Sequence, residues 1–300
     1  MSISGTRFAK EQNPELSEHD GEDQLVAYIP GMPPLPPSSF PTFMHVRDPS
    51  SPFVKFLETQ CKKIMLCNAI IINTFEELEG DACRALEEEF HIPAHPIGPM
   101  LPLHTPKMIE DEHGCIPWLD KKPKHSVVYI SFGSIWNPSL ELIKRLAEGI
   151  KGSKQPYLWA LRPSTFWPSD DVNDILPENF LKETDGLIIP WAPQIDILAH
   201  SSVGAFLTHC GWNSTLESMS MGVLMIPIPF VGDQVTNCRL VVDIWKVGMS
   251  VKFVLDSVRG PMVESSEIER VVKSAFEEGQ WAAETRTNAG ALADVIKRAT

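Results

Sequence analysis

From residue 118 onward the chain repeats one pattern: a short apolar run, a break at polar residues, glycine or proline, and a segment with helical periodicity. The apolar runs lie at 126–132, 157–161, 187–189, 203–207, 223–228 and 249–253. Helices are expected at about 139–150, 194–199, 213–221, 234–245 and 266–278, with a last helical segment over 281–300. Runs that are apolar throughout, rather than alternating, belong to strands covered on both faces. Parallel strands need a crossover long enough to hold a helix. Strands and helices in this alternation therefore predict a parallel sheet with helices on both sides. Right-handed crossovers wind such a chain into a doubly wound α/β domain, and ligands of that architecture sit at the carboxyl ends of the strands.

The first hundred residues are less regular. Residues 1–25 are polar and acidic, too poor in apolar side chains to order a core. Residues 28–41, YIPGMPPLPPSSFP, cannot form regular helix, because proline lacks an N–H and restricts its neighbour; a packed loop is expected. Phe53, Leu57, Cys61 and Ile64 fall on one face of a helix over 51–65. Residues 69–72 read as a short buried strand and 76–89 as the following helix. Prolines recurring through 91–107 read as an interdomain linker. His19 and His45 read as surface residues. One clear strand in this part is too few for a second doubly wound domain.

Composition narrows the function. A net charge of −13 argues against nucleic-acid or anionic-membrane surfaces, which need clustered Lys and Arg. No run of about 18 apolar residues occurs, so no membrane span is expected. The six cysteines form no Cys-x-x-Cys pair and have no accompanying His cluster, which leaves no zinc pattern. With no signal-peptide core at the N-terminus, they are expected to be reduced thiols of a cytoplasmic protein.

Two strand ends carry polar chemistry. One is Phe132-Gly133-Ser134. The other is Thr208-His209-Cys210-Gly211, after which Asn213-Ser214-Thr215 opens a helix. A strand that stops at glycine and opens a helix leaves unbonded N–H groups and the positive end of the helix dipole facing out, which makes an anion site. The G-x-G-x-x-G dinucleotide fingerprint and the G-x-x-x-x-G-K-[ST] phosphate loop are absent, and so is any Asp-x-Asp pair. Taken singly, Trp191 reads as core, His209 as a satisfied core histidine, Glu217 as a favourable charge near a helix start, and Asp233-Gln234 as a helix start.

Together these residues form a longer pattern. The 44 residues 191–234 carry Trp191-Ala192-Pro193-Gln194, His209-Cys210-Gly211-Trp212-Asn213-Ser214, Glu217 and Asp233-Gln234 at fixed places. The stretch resembles the signature box of the plant secondary-product glycosyltransferases, which use UDP-sugars. Asn73-Thr74-Phe75, Ile97-Gly98-Pro99, Trp118-Leu119-Asp120 and Ser131-Phe132-Gly133-Ser134 resemble further landmarks of that family, in its order. The resemblance implies a GT-B type α/β fold. Residues 1–99 would be the remnant of an N-terminal acceptor domain, 100–117 a linker, and 118–300 the UDP-sugar-binding domain, doubly wound and Rossmann-like.

It also implies roles. Trp191 would stack on uracil while the Ala192 backbone bonds its edge, and Gln194 and Glu217 would hold the ribose hydroxyls. His209, Asn213, Ser214 and Ser134 would hold the diphosphate, and Trp212, Asp233 and Gln234 the sugar hydroxyls. No metal or other cofactor is expected. Gln234, where galactose-using members carry histidine, favours glucose. The family's general base, a histidine oriented by an aspartate, belongs to the N-terminal domain, and no residue of this chain matches either. The resemblance thus implies an inverting transfer of glucose from UDP-glucose to the hydroxyl or carboxyl of a small molecule by an N-terminally truncated chain. The alternative is a UDP-sugar-binding module without transfer. The expected partners are a UDP-sugar and a small-molecule acceptor, with no nucleic acid, and the chain is expected to be a monomer.

Overall fold

The computed structural model describes residues 25–41, 44, 50–101, 111–134, 137–163, 169, 171–256 and 260–299. Expectations for the acidic start of the chain, His19 and His45 lie outside these residues. The chain divides into two compact units, one of Met1–Leu101 with Arg298–Thr300, the other of Pro102–Lys297.

In the first unit, helix α1 (Pro52–Ile64) starts with proline in its first turn, where the missing N–H costs nothing. Strand β1 (Ile70–Ile72) leads through helix α2 (Glu76–Phe90) to strand β2 (Ala94–Pro96), and the two strands pair in parallel. Two expectations change here. Ile71 is 70% exposed, so β1 is not buried: one crossover helix covers only one face of a two-stranded sheet. The stretch expected as linker contributes β2, because a proline at a strand end removes only one ladder donor. Among the described residues the unit therefore has two paired strands rather than one. The proline-rich loop packs as expected. Val26 bridges Leu35, Pro37–Ser39 forms a 3₁₀ turn, and Leu35 and Phe40 are buried.

The second unit is built on five parallel strands: β3 (Val127–Ser131), β4 (Tyr157–Ala160), β5 (Gly186–Ile189), β6 (Val203–Thr208) and β7 (Leu224–Pro227), in the order β5-β4-β3-β6-β7. Helix α3 (Leu140–Ser153) follows β3; its cap is Ser139, whose hydroxyl accepts from Leu142 N at 3.3 Å. The short helix α4 (Gln194–Leu198) precedes β6, and α5 (Trp212–Met221) follows it. Helix α6 (Gln234–Arg239) continues into a π-helical turn over Leu240–Ile244, so the single helix expected at 234–245 changes pitch midway.

Residues of β3 alternate between two buried layers. Val128 and Ile130 join Ile143, Leu146 and Trp159 on one side. Val127 and Tyr129 join Leu158, Ile197 and Phe206 on the other. Each fully buried aliphatic or aromatic side chain contributes about 1.5–3 kcal/mol, which fixes the sheet's register and hence the positions of its strand ends.

The sixth expected strand, 249–253, does not form. Met249 and Val251 are buried, so the run is apolar for packing, but its pairing with β7 is one bridge between Met225 and Gly248. The N–H of Lys252 goes instead to the Glu267 carboxylate, 2.9 Å away, on helix α7 (Ser265–Phe276). An antiparallel pair follows, β8 (Val254–Asp256) and β9 (Gly260–Met262). The chain's last helix, α8, spans Gln280–Ala299. Among the described residues no helix is long and apolar enough to cross a membrane. All six cysteines are free thiols.

Candidate functional site

The strand order reverses at β3. The chain runs outward through β3, β4 and β5, then returns as β6 on the other side of β3. A crevice opens outside the carboxyl ends of two strands whose connections leave in opposite directions. Ser131 pairs with Thr208, so Gly133-Ser134 comes to lie beside His209-Cys210-Gly211.

The packing at this point is tight. A Cβ on Gly133 would stand 2.6 Å from His209 Nε2, and one on Gly211 would stand 2.4 Å from it. The histidine ring lies against both glycine backbones. Gly133 also has φ +74°, in the left-handed region. Cys210 has φ +57°, an uncommon conformation for a side-chain-bearing residue, and two bonds hold it. Its N–H donates to Thr208 Oγ1 (3.3 Å), and its carbonyl accepts from Asn237 Nδ2 (3.0 Å). Helix α5 starts immediately after, with Gly211 at its cap position and no side-chain hydrogen bond closing its first turn.

His209 is mostly enclosed. Burial brings its imidazole down to about 4, against a smaller opposing effect from the Asp233 charge. The ring is therefore neutral at neutral pH and acts as a hydrogen-bonding group, not a cation. Its buried Nδ1 has no partner among the described residues. Ser134 is exposed one residue beyond Gly133. Asn213 is exposed in the first turn of α5, and Ser214 beside it is buried.

A second group lies on α4 and α5. Gln194 Nε2 donates to Glu217 Oε2 (2.6 Å) and to Ser214 Oγ (2.9 Å), while its Oε1 accepts from the Tyr129 hydroxyl (3.1 Å). Burial raises the Glu217 carboxyl above its ordinary value, and the Gln194 bond partly offsets this. Trp191 follows β5 and is 45% exposed, next to the buried Ala192. A large apolar face left open beside a polar cluster suits a flat ring.

The third group starts α6. Asp233 is exposed and accepts from Asn237 Nδ2 (2.9 Å). Gln234 is buried, with Oε1 accepting from the N–H groups of Phe230 (2.8 Å) and Val231 (3.2 Å). Its carbonyl is thus committed to the loop after β7. Trp212 packs its indole 6.2 Å from that of Trp245.

The structure therefore brings His209 against Gly133 and joins Gln194, Ser214 and Glu217 in one network. Asn237 bonds both Asp233 and the Cys210 carbonyl. Trp212 packs against Trp245. Two participants escaped sequence reasoning, Tyr129 and Asn237. Asn237 had a readable signal, since it lies four residues after Asp233 on one helix face. Tyr129 had only the polar tip of one residue inside an apolar run. Among the described residues no group of three or more His, Cys, Asp or Glu stands together to hold a metal ion.

A doubly wound parallel α/β sheet with polar side chains gathered at its switch point is the donor-domain architecture of GT-B glycosyltransferases. The sequence matches the UDP-glucoronosyl and UDP-glucosyl transferase family over residues 106–259, and the chain belongs to that family. It is 40% identical over 234 residues to anthocyanidin 3-O-galactosyltransferase F3GT1 of Actinidia chinensis var. chinensis, covering 77% of this chain and 50% of that one. It is 33% identical over 294 residues to UDP-glycosyltransferase 74D1 of Arabidopsis thaliana, covering 93% of this chain and 62% of that one. The structure of Phytolacca americana UGT2 complexed with UDP-2fluoro-glucose and pterostilbene superposes with a TM-score of 0.81 at 33% identity, over 98% of this chain and 63% of that one. The chain thus spans about half the length of curated relatives it matches.

Proposed function

We propose that residues 191–234, with Gly133 and Ser134, bind a UDP-sugar, and that the protein transfers its hexose to a hydroxyl or carboxyl of a small molecule. The observation that carries this is the meeting of a neutral His209, two glycine backbones and the start of α5 at the switch point. In this reading Trp191 stacks on uracil beside the Ala192 backbone, and the free oxygen of Glu217 takes the ribose hydroxyls next to Gln194. Ser134, His209, Asn213 and Ser214 hold the diphosphate without a metal. Trp212, Asp233 and the amide hydrogens of Gln234 hold the sugar.

Attack of an acceptor oxygen on the anomeric carbon breaks the bond to the β-phosphate, and one displacement inverts that carbon. Negative charge grows on the departing UDP. Donors already aimed at the phosphate stabilise that charge more than they stabilise the bound substrate, and this lowers the barrier. One relative is named for galactose transfer and one similar structure was solved with UDP-2fluoro-glucose; Gln234 supports glucose here. The groups assigned here serve the donor. Activation of the acceptor is a separate requirement with no residue assigned to it, so the second reading is a UDP-sugar-binding module without transfer.

Calorimetry with UDP, with and without EDTA, tests the binding reading. Glu217→Ala and His209→Ala should each weaken binding about tenfold or more, by loss of a hydrogen bond to a charged or buried group. Unchanged affinity in both variants would refute the site, and loss of binding with EDTA would refute the metal-free diphosphate contact. A donor panel with wild type and Gln234→His then reads the sugar. Preference for UDP-glucose that moves toward UDP-galactose in the variant supports the assignment, and binding with no transfer supports the module.

A further inference from the structure

The donor-site reading places Gln194 and Glu217 at the ribose but does not explain what holds the Gln194 amide in place. Both ends of that amide are specified. Its nitrogen faces Glu217 and Ser214, at 2.6 and 2.9 Å, and its oxygen faces the Tyr129 hydroxyl at 3.1 Å. Tyr129 is in the middle of β3, buried, with its ring stacked on Phe206 at 5.0 Å between centroids and 20° between planes. The sheet's central strand and its neighbour β6 therefore fix the phenol rigidly. Burial also pushes the Tyr129 phenol well above its ordinary value, so it stays protonated and can donate.

We propose that Tyr129 is a positioning residue for ribose recognition: its hydroxyl anchors the Gln194 oxygen, which directs the amide N–H₂ onto Glu217 and leaves the other Glu217 oxygen aimed at the ribose diol. The inference rests on the proposed donor site. An amide is nearly symmetric in shape, and its orientation is set only by which end finds a donor and which an acceptor. Glu217 repels a carbonyl, so it specifies the nitrogen end. Tyr129 specifies the oxygen end and fixes the distance, because without it a part-buried carbonyl must rotate to find another donor. A carboxylate that loses a 2.6 Å neighbour loses its fixed rotamer as well. The function of Tyr129 is then to separate nucleotides with a 2′-hydroxyl from those without, with no contact of its own to the ligand.

The test compares UDP with 2′-deoxy-UDP by calorimetry for wild type, Tyr129→Phe, Gln194→Leu and the double variant. Phenylalanine keeps the ring stacked on Phe206 and removes only the oxygen. Wild type should bind UDP about tenfold or more tightly than the deoxy analogue. Tyr129→Phe should weaken UDP about five- to tenfold and leave 2′-deoxy-UDP within about twofold, so that the preference collapses. In the Gln194→Leu background the same substitution should change neither affinity, because the amide it acts through is gone. Equal weakening of both ligands by Tyr129→Phe would overturn the proposal and leave a merely structural tyrosine. An unaltered preference would overturn it too. Should Tyr129→Phe fold poorly, Gln194→Leu alone must abolish the preference, and its persistence there overturns the proposal. Failure of wild type to bind UDP at all would instead sink the donor-site reading, a different result from any of these.

Discussion

His209 offers a test that needs no ligand. Burial places its imidazole at about 4 in the folded chain, against 6.5 for the ordinary group. Protonation is thus easier in the unfolded chain. The unfolded state binds more protons between these two values, so stability rises with pH across that window. The contribution is fully present above pH 6.5 and is lost as the pH falls toward 4. The gap corresponds to about 3 kcal/mol in the limit, at about 1.4 kcal/mol per pH unit. At pH 5 the unfolded ring is almost fully protonated and the folded ring about one-tenth so, by which point about 2 kcal/mol has been lost. The ring is enclosed but not sealed, and water at its open edge lowers the expected figure to about 1–2 kcal/mol. Urea denaturation of wild type and His209→Gln at pH 8, 6.5 and 5 isolates this group, since every other titration is common to both. The wild type should lose about 1–2 kcal/mol more than the variant between pH 8 and 5. Parallel curves would refute the argument, because they would mean that the imidazole is solvated in the folded chain and titrates like a surface histidine.

Gly133→Ala should weaken UDP binding about tenfold or more. Its Cβ would lie 2.6 Å from His209 Nε2, and its φ of +74° adds about 1–2 kcal/mol of backbone strain. Thermal denaturation and UDP calorimetry read the two effects separately, and wild-type affinity in a folded variant would show that the His209 ring need not lie against that backbone. Asn237→Ala removes bonds of 3.0 and 2.9 Å to the Cys210 carbonyl and the Asp233 carboxylate, so about 1–3 kcal/mol of stability should go. UDP-glucose affinity should fall more than UDP affinity because Asp233 loses its partner; equal losses would detach Asp233 from the sugar.

Much of this site is legible in the sequence because it depends on order along the chain. A strand followed by glycine and a helix start must produce an open turn, and residues 203–221 do so. Gln194 and Glu217 are paired in the sequence only through the family resemblance, and that Ser214 joins them is seen only where α4 and α5 flank β6. What could not be read depends on pairing across the sheet. That Gly133 touches His209 follows from the register of Ser131 with Thr208, and register is a tertiary property. The run at 249–253 shows the converse error. Val, Phe and Met packed against a core give a strand's pattern whether or not their backbone finds a ladder, and here Glu267 takes the Lys252 N–H. In the first unit, the proline-rich stretch at 91–101 hides β2 because composition marks where a chain turns, not which three residues pair first.

For the proposed donor site, the hydrogen-bond pattern supplies a way to bind an anion in a chain of net charge −13. Several side chains assigned to the ligand already have one end bound within the protein. Gln194 is held by Tyr129, Glu217 by Gln194, Gln234 by two backbone N–H groups, and Asp233 by Asn237. The remaining end is therefore aimed without cost when a ligand arrives, and little conformational entropy is left to lose on binding. The charge balance follows the same logic. His209 is neutral, and the start of α5 offers backbone N–H groups rather than a cation. Such donors gain strength from a low-dielectric crevice, whereas a buried lysine or arginine would have to be desolvated first. They also match a group whose charge increases during reaction, because fixed dipoles need not reorganise as the leaving phosphate becomes more negative. The surrounding acidity therefore does not oppose the proposed donor binding. In that reading the phosphates meet oriented neutral donors, and the contact of Gly133 with His209 that places them comes from the register of β3 with β6.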